Sequence, residues 1–456
     1  MTDDNNTRDM INHSIARRSL LKAGLGTAGV LAAGGLTRSA LAQDATPAAG
    51  AGQFTDDNYQ PAAEVEIEYW QYQYDTKVDL VNQLIPEFEA ANPLIKIKHV
   101  NFPYDDFRNQ VAAAVQAGEG PDVLNVYFGW IPAYVQQQFL VGLPGDIFPT
   151  DQIESAFFPT VQAAKIQDVY YALPTAVRTL ALFYNKDILD AAGKTPPTNW
   201  EEMVDVAGAT VKKNGETFEI VGITQDIGGQ GHNYWREGLI RQNGGLPISE
   251  DNRTLNWTSP EAIEAFNYLN AFLLEQGVTQ VAFDTDGATA FGNGHAALHV
   301  DGSYRVGTYT AEHPELNYGI VPLPEHKSKA SFASFWSNTI TRNAGEGDKL
   351  IASAKFIDFL ASADVQKRWT PAIGELPART SLAADPDLMA DEKTAPFIES
   401  LAFSYATFIV NEADLRQAVM DAFDEVTLNG MDPETALADA QAKIQPQYDE
   451  YWASFG

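Results

Sequence analysis

EVEIEYWQYQYD, residues 64–75, opens the stretch of sequence that decides the fold. Its apolar residues alternate with glutamates, which predicts a β-strand with one buried face. Helical spacing of apolar residues follows over 78–88, with Pro86 inside it as an expected kink or local break. Alternation returns at 95–99, which predicts a second strand.

The same alternation of element types continues along the chain. Residues 107–117 have the pattern of a helix that ends at Gly118, and 122–127 have the pattern of a buried strand. Strands that alternate with helices from the start favour an α/β domain with a largely parallel sheet. Further on, Ser259-Pro260-Glu261 and Asp432-Pro433-Glu434 each combine a cap, a proline and an acid, so each predicts a helix start.

The first 42 residues have the three parts of an export signal. Arg17 and Arg18 precede an apolar run over 25–36, and Ala40-Leu41-Ala42 has the small residues of a cleavage site. The region resembles a twin-arginine signal, with Ala16 for Ser and Leu20 for Phe. The alternative is a buried Ala/Gly helix that follows two arginines.

A signal at 1–42 predicts cleavage near Ala42-Gln43 and a periplasmic or extracellular mature protein, unless the uncleaved helix is kept as an anchor. Residues 43–63, rich in Ala, Gly and Pro, are expected to form a flexible linker.

Composition narrows the function. The formal charge is -31 at pH 7, which disfavours nucleic acid and anionic membranes as partners. There is no cysteine, which excludes disulfides, thiol catalysis and Cys-ligated zinc. His295 and His299 are four residues apart, but H-E-x-x-H is absent, so we expect surface histidines with hydrogen-bond partners and no metal or cofactor.

Six segments combine these patterns in a fixed order: EIEYWQYQYD (66–75), PLIKIKHVNFPYDDFRNQVAAAVQAGEGPDVLNV (93–126), YALPTAVRTLALFYNKDILDAAGKTPPTNWEEM (171–203), GNGHAALHVDGSYRVG (292–307), LNYGIVPLPE (316–325) and AKFIDFLASADVQKRWTPAIGELPART (354–380). Together they resemble the extracellular solute-binding proteins of sugar ABC transporters, of the maltose-binding-protein type. The resemblance covers nearly the whole mature chain.

This resemblance implies an α/β, two-lobed periplasmic-binding-protein fold (type II) with a ligand cleft between the lobes. Three crossovers are expected near 177–179, 333–336 and 384–387. The implied lobes are 64–176 plus 334–383 for lobe 1, and 180–332 plus 388–456 for lobe 2.

Ligands of open α/β sheets bind beyond the carboxyl ends of the strands, so residues that follow strands are candidates. Tyr72 and Asp75 follow the first strand at a position where the family reaches its ligand. Gly129 lets the backbone approach a ligand, and Trp130 offers a ring to a sugar or to the core.

Further candidates come from positions that match the family's ligand contacts: Arg178, Tyr234, Trp235, Asp301, Tyr304, Trp336, Glu375 and Arg379. Arg178 stands where relatives carry a carboxylate, which puts maltose itself in doubt. Together with Arg236, it favours an anionic or phosphorylated solute. Glu375 is either a ligand contact or a surface charge.

The sequence therefore predicts a binding protein and not an enzyme. We expect a monomer that captures a carbohydrate and delivers it to ABC transporter permease subunits by hinge closure. One alternative is a binding protein for an anionic small solute such as a glycerol phosphodiester, or for polyamines or other small solutes. Another is a secreted glycoside hydrolase with paired carboxylates, although no sequence feature selects such a pair.

Overall fold

The computed structural model describes residues 54–55, 58–226 and 230–455. The predicted signal peptide (1–42) and the part of the predicted linker at 43–53 lie outside the described residues, and both stay predictions. No helix of the described ranges is long and apolar enough to cross a membrane.

The described chain alternates strands and helices throughout. Its strands are β1 (Val65–Tyr72), β2 (Ile95–Phe102), β3 (Val123–Tyr127), β4 (Leu140–Val141), β5 (Lys165–Ile166), β6 (Val169–Tyr170), β7 (Ala172–Asn185), β8 (Lys212–Asn214), β9 (Thr217–Ile223), β10 (Ala296–Gly302), β11 (Tyr318–Val321), β12 (Ser331–Thr341), β13 (Leu376–Pro377) and β14 (Ser404–Tyr405).

The α-helices alternate with these strands along the chain. They are α1 (Asp75–Ala91), α2 (Tyr104–Ala117), α3 (Ile131–Gln136), α4 (Thr150–Ala156), α5 (Lys186–Ala192), α6 (Trp200–Thr210), α7 (Gln230–Gln242), α8 (Pro260–Leu274), α9 (Gly287–Gly292), α10 (Arg305–Glu312), α11 (Gly347–Leu360), α12 (Ala363–Ile373), α13 (Pro386–Met389), α14 (Ala395–Ser400), α15 (Glu412–Asn429) and α16 (Pro433–Ala453).

The elements predicted at the start of the chain are confirmed. β1 pairs in parallel with both β2 and β3, with α1 and α2 as the connections. α1 continues through Pro86, so the expected kink does not break the helix. α2 ends at Gly118, which has the left-handed backbone (φ 72°) that glycine adopts at low cost. The later caps are confirmed as well, since Ser259 and Asp432 accept backbone amides of α8 and α16.

β7 and β12 form the centre of the large sheet. Within the described residues the strand order is β2-β1-β3-β12-β7-β10-β9-β8, and the remaining strands, other than the β5–β6 pair, join at β7 or β12. β7 pairs with β12 from Ala172 to Thr179 and with β10 from Leu180 onward. The predicted crossovers near 177–179 and 333–336 lie beside this change of partner, and the lobe boundaries themselves stay predictions.

Residues 54–55 and 58–63, within the segment expected to be a linker, contact the folded chain. The amides of Phe54 and Thr55 donate to Asp358 at 2.8 and 2.7 Å, and the hydroxyl of Thr55 donates to the same carboxylate oxygen at 2.9 Å. The Phe54 ring lies 5.3 Å from that of Phe148. The amide of Ala62 donates to Asp348 at 2.9 Å.

Helix α6 packs closely on β9, and one glycine permits this approach. A Cβ at Gly222 would lie 2.1 Å from the carbonyl oxygen of Ala207, a backbone atom that has no freedom to move away. At Gly208, within α6, a Cβ would meet no atom within 4 Å. The two glycines therefore provide a matched pair of sites.

We predict that Gly222→Ala lowers the free energy of unfolding by about 2 kcal/mol or more, because α6 must shift away from the sheet. Gly208→Ala is the control and should raise this free energy by roughly 0.5–1 kcal/mol, since alanine favours a helix interior. Urea unfolding followed by circular dichroism measures both. Equal stability of the two variants would contradict the close packing of α6 on β9.

Candidate ligand cleft

At one paired position, the side chains of the two central strands, β7 and β12, are partly exposed to solvent. Along Ala172–Thr179 of β7, Arg178 is the residue that is not buried, and along β12 the same holds for Ser334. The two are register partners in the antiparallel pair. This partly exposed pair, within two otherwise buried stretches of strand, indicates the floor of a cleft at the middle of the sheet.

An aromatic group lies beside this floor. Trp336 is two residues beyond Ser334, and successive residues on one face of a strand are two apart. Its ring is surrounded by those of Tyr72 (4.3 Å), Trp130 (5.3 Å), Tyr127 (5.7 Å) and Tyr104 (6.3 Å). We call these five rings the aromatic wall.

The wall follows from the topology. Tyr72 ends β1, Tyr104 begins α2 directly after β2, and Tyr127 ends β3. The carboxyl ends of parallel strands meet at one edge, which brings these rings together. Tyr104 is 46% exposed, so the wall presents a ring face to solvent.

A buried group of three charges lies next to the wall; we call Lys77, Arg178 and Glu375 the charge triad. β13 pairs with β7 so that Leu376 is opposite Val177, which sets Glu375 opposite Arg178. One oxygen of Glu375 accepts from Lys77 Nζ at 2.9 Å and from Arg178 Nε at 2.8 Å. Trp369 donates to the other oxygen at 2.9 Å.

The triad fixes the ionisation of its carboxylate. Burial would raise the pKa of Glu375, but the charges of Lys77 and Arg178 outweigh this effect and lower the pKa to about 2. Glu375 is therefore not the surface charge that was considered from the sequence, because it is buried and ionised inside the triad.

The turn after β10 faces the triad from the other half of the sheet. Asp301 accepts the Tyr304 hydroxyl at 2.6 Å and Arg305 Nε at 2.8 Å. Burial acts against the charged form of Asp301, but Arg305 and His299 prevail and lower its pKa. Tyr304 is 41% exposed, and the guanidinium groups of Arg178 and Arg305 each lie 5.6 Å from the centre of its ring.

Two cavities adjoin these groups. A cavity of 790 Å³ lies between α2 and α3 on one side and the ends of α15 and α16 on the other, and Gly129, Trp130, Arg108 and Glu412 line it. A second cavity, of 130 Å³, is lined by Trp235 together with groups of the β10 turn.

The structure thus brings most of the predicted site residues together: Tyr72, Gly129, Trp130, Arg178, Trp235, Asp301, Tyr304, Trp336 and Glu375. Tyr234 reaches this group through its hydroxyl, which contacts that of Tyr127, while its ring is buried and stacks on Phe332.

Three other residues lie away from this group. Asp75 and Arg379 were predicted ligand contacts, and Arg236 was a reason to expect an anionic ligand. Asp75 is exposed at the start of α1 and accepts a hydrogen bond from Gln73. Arg379 is 1% exposed and packs on Phe157, 4.5 Å from the ring centre. Arg236, which had favoured an anionic solute, is fully buried and donates to its neighbour Glu237.

The expectation of two surface histidines is wrong for His299. It lies in β10, buried, with Thr224 and Asp301 as hydrogen-bond partners. His295 is the exposed one and contacts Asp284. Within the described residues, no group of three or more His, Cys, Asp or Glu side chains is arranged to hold a metal ion.

Sequence reasoning missed four members of the site: Lys77, Tyr104, Tyr127 and Arg305. Tyr104 and Tyr127 stand at strand ends, so the criterion that selected Tyr72 also selects them. Lys77 had a weaker signal, as a cation in the first turn of a helix, where the helix dipole disfavours positive charge.

The chain belongs to the bacterial extracellular solute-binding protein family, whose profile matches residues 83–396. It is similar to the maltotriose-binding protein of Pyrococcus abyssi, at 24% identity over 75% of this chain and 72% of that protein. It is also similar to a putative ABC transporter periplasmic-binding protein of Escherichia coli, at 24% identity over 64% of this chain and 67% of that protein.

The fold resembles the crystal structure of the cyclic alpha-maltosyl-1,6-maltose binding protein from Arthrobacter globiformis. The TM-score is 0.76 at 22% identity, over 85% of this chain and 100% of that chain. This likeness confirms the two-lobed α/β fold that was predicted.

The triad predicts a specific acid sensitivity. The pKa of Glu375 is lower in the folded chain than its usual value, so its stabilising effect is complete above about pH 4.5 and is lost as the pH falls towards 2. This loss amounts to about 3 kcal/mol. In Glu375→Gln that part of the acid dependence should be absent, while stability at pH 7 should fall by about 3 kcal/mol because two cations lose their partner.

Urea unfolding at pH values from 7 down to about 2 measures both effects. The control is Glu250→Gln, a change at an exposed glutamate. If Glu375→Gln and Glu250→Gln showed the same acid dependence, Glu375 would not be ionised within the triad.

Proposed function

We propose that this chain is the substrate-binding component of an ABC transporter, which captures a carbohydrate between its lobes and delivers it to the membrane permease. The aromatic wall carries this proposal. Its rings stand at the carboxyl ends of β1, β2 and β3, beside the opening at Arg178 and Ser334. This is the position at which open α/β sheets bind ligands.

The chemistry of the cleft fits a sugar. The C–H faces of a pyranose pack on aromatic rings, and the exposed ring of Tyr104 offers such a face beside the buried ring of Trp336. The hydroxyls at the rim of the sugar need donors and acceptors, which Arg178 and Tyr304 can supply. Arg178 is linked to the wall through Glu375 and Lys77, since Lys77 donates to both Glu375 and the Tyr72 hydroxyl. Binding needs no group that transfers protons, so no pair of carboxylates is assigned a catalytic role.

The relatives support the same function. One is named for maltotriose and another as an ABC transporter periplasmic-binding protein. On this basis we propose that the mature chain works outside the cytoplasm and meets permease subunits.

Closure of the lobes is the proposed transport signal. β7 and β12 run through the centre of the sheet, and the partner of β7 changes at Thr179–Leu180, which is where a hinge would bend. A ligand that contacts both halves stabilises the closed form, because its contacts to the second half exist in that form alone. The contact of Tyr127 with Tyr234 joins the two halves beside the wall.

The direct test is intrinsic tryptophan fluorescence of the mature protein during titration with glucose, galactose, maltotriose and galactotriose, with the radius of gyration measured by small-angle scattering. We expect a saturable fluorescence change, because Trp130 and Trp336 lie in the wall, and a smaller radius with ligand. Hydrolysis of a titrated sugar over hours would overturn the proposal in favour of a glycoside hydrolase.

We predict that Tyr104→Ala weakens sugar binding about threefold to tenfold, the effect of one lost ring face. Tyr104→Phe keeps the ring and should bind within about twofold of the unaltered protein. Leu428→Ala, at a residue 76% exposed, is the surface control. Isothermal titration calorimetry gives the affinities, and equal losses for the Ala and Phe variants would exclude stacking on this ring.

A further inference from the structure

We propose that the sugar carries an anionic group, a carboxylate or a phosphate, which binds at Arg178 of the charge triad. This inference rests on the proposed function and narrows it to one class of carbohydrate. It starts from the charge count of the triad, which holds two cations, Lys77 and Arg178, against the single carboxylate of Glu375.

The three side chains of the triad differ in their exposure to solvent. The side chains of Lys77 and Glu375 are 3% and 6% exposed, while that of Arg178 is 26% exposed. Lys77 and Glu375 therefore form the buried base of the triad, and Arg178 is the member that a ligand in the cleft would meet. Lys77 also donates to the Tyr72 hydroxyl at 2.7 Å, which is a neutral partner and leaves the charge count unchanged.

The neighbouring carboxylates are engaged with other groups. Asp301 is paired with Arg305 at 2.8 Å, and these two charges cancel. Asp226, near that pair, accepts the amide of Gly287 with both oxygens. Glu375 is the carboxylate whose charge acts on Arg178.

Closure of the cleft would make the extra positive charge of the triad energetically costly. Charges in a water-poor site interact more strongly than in bulk water, and a buried cation without a partner is costly. A neutral sugar that covered Arg178 would remove water from the surplus charge and return no counter-charge. An anionic group supplies that charge, and the planar guanidinium suits the oxygens of a carboxylate or phosphate.

The charge of the whole chain does not oppose this binding. The net charge is -31, but exposed charges more than about 8–10 Å away are largely screened at physiological salt. Arg178 is partly exposed and would contact the anionic group directly, so its attraction acts at short range and added salt weakens it without abolishing it.

The test compares matched ligands on the mature protein by calorimetry. D-Galacturonate and trigalacturonate are compared with galactose and galactotriose, and D-glucuronate and glucose 6-phosphate with glucose. We expect the anionic member of at least one pair to bind about 10- to 100-fold more tightly than its neutral partner. A uronate preference identifies a carboxylate, and a preference for glucose 6-phosphate identifies a phosphate.

Variants of Arg178 test whether this residue causes the preference for anionic sugars. Arg178→Gln makes the triad neutral and should reduce the ratio of anionic to neutral affinity to near one. Arg178→Lys keeps the charge and should restore most of that ratio. Arg253→Gln removes a cation from an exposed loop and is the control that should keep the ratio.

A measurement on the unaltered protein avoids any folding defect of the variants. Raising NaCl from 20 to 300 mM should weaken binding of the anionic sugar several-fold more than that of its neutral partner. Equal affinity within every pair, or stronger binding of the neutral sugars, would overturn the inference and leave the proposed function standing. If no sugar of either charge bound, the proposed function itself would fail.

Discussion

The antiparallel pairing of β7 with β12 is the constraint on which the rest of the structure depends. Both strands are buried along nearly their whole length, so their register is strongly specified. A slip of one residue would separate Arg178 from Ser334 and turn Trp336 to the other face of the sheet. β7 also pairs with β13, which sets Glu375 opposite Arg178, so β7 is the strand that positions both Trp336 of the wall and the triad.

Much of the fold could be predicted from the sequence because its signals are local. Alternation over 64–75, capping residues before the helices and Gly118 after α2 each act within a few residues of where they stand. The strand-end rule then led to Tyr72 and Trp130, since the carboxyl ends of parallel strands share one edge. The rings of both lie within about 6 Å of the Trp336 ring.

The charges of the site could not be predicted in the same way. Lys77 and Glu375 are 298 residues apart, and no local pattern reports a partner at that distance. The position of Arg379 could not be predicted from local sequence patterns either. Gln366 accepts the amides of Ala378 and Arg379, which holds this segment against α12, and the Arg379 side chain enters the core beside Phe157. A buried charge of the cleft, Glu375, and a buried charge of the core, Arg379, are therefore only four positions apart in the sequence.

The contacts of residues 54–63 bear on how the protein is prepared for study. Truncation at Glu64, where regular structure begins, would remove three hydrogen-bond donors from Asp358 and the Phe54 ring from beside Phe148. It would also remove the amides that Asp348 accepts from Ala62 and Ala63. An affinity tag joined directly to Glu64 would occupy the path of this segment, so a recombinant version should keep the native residues from before Phe54.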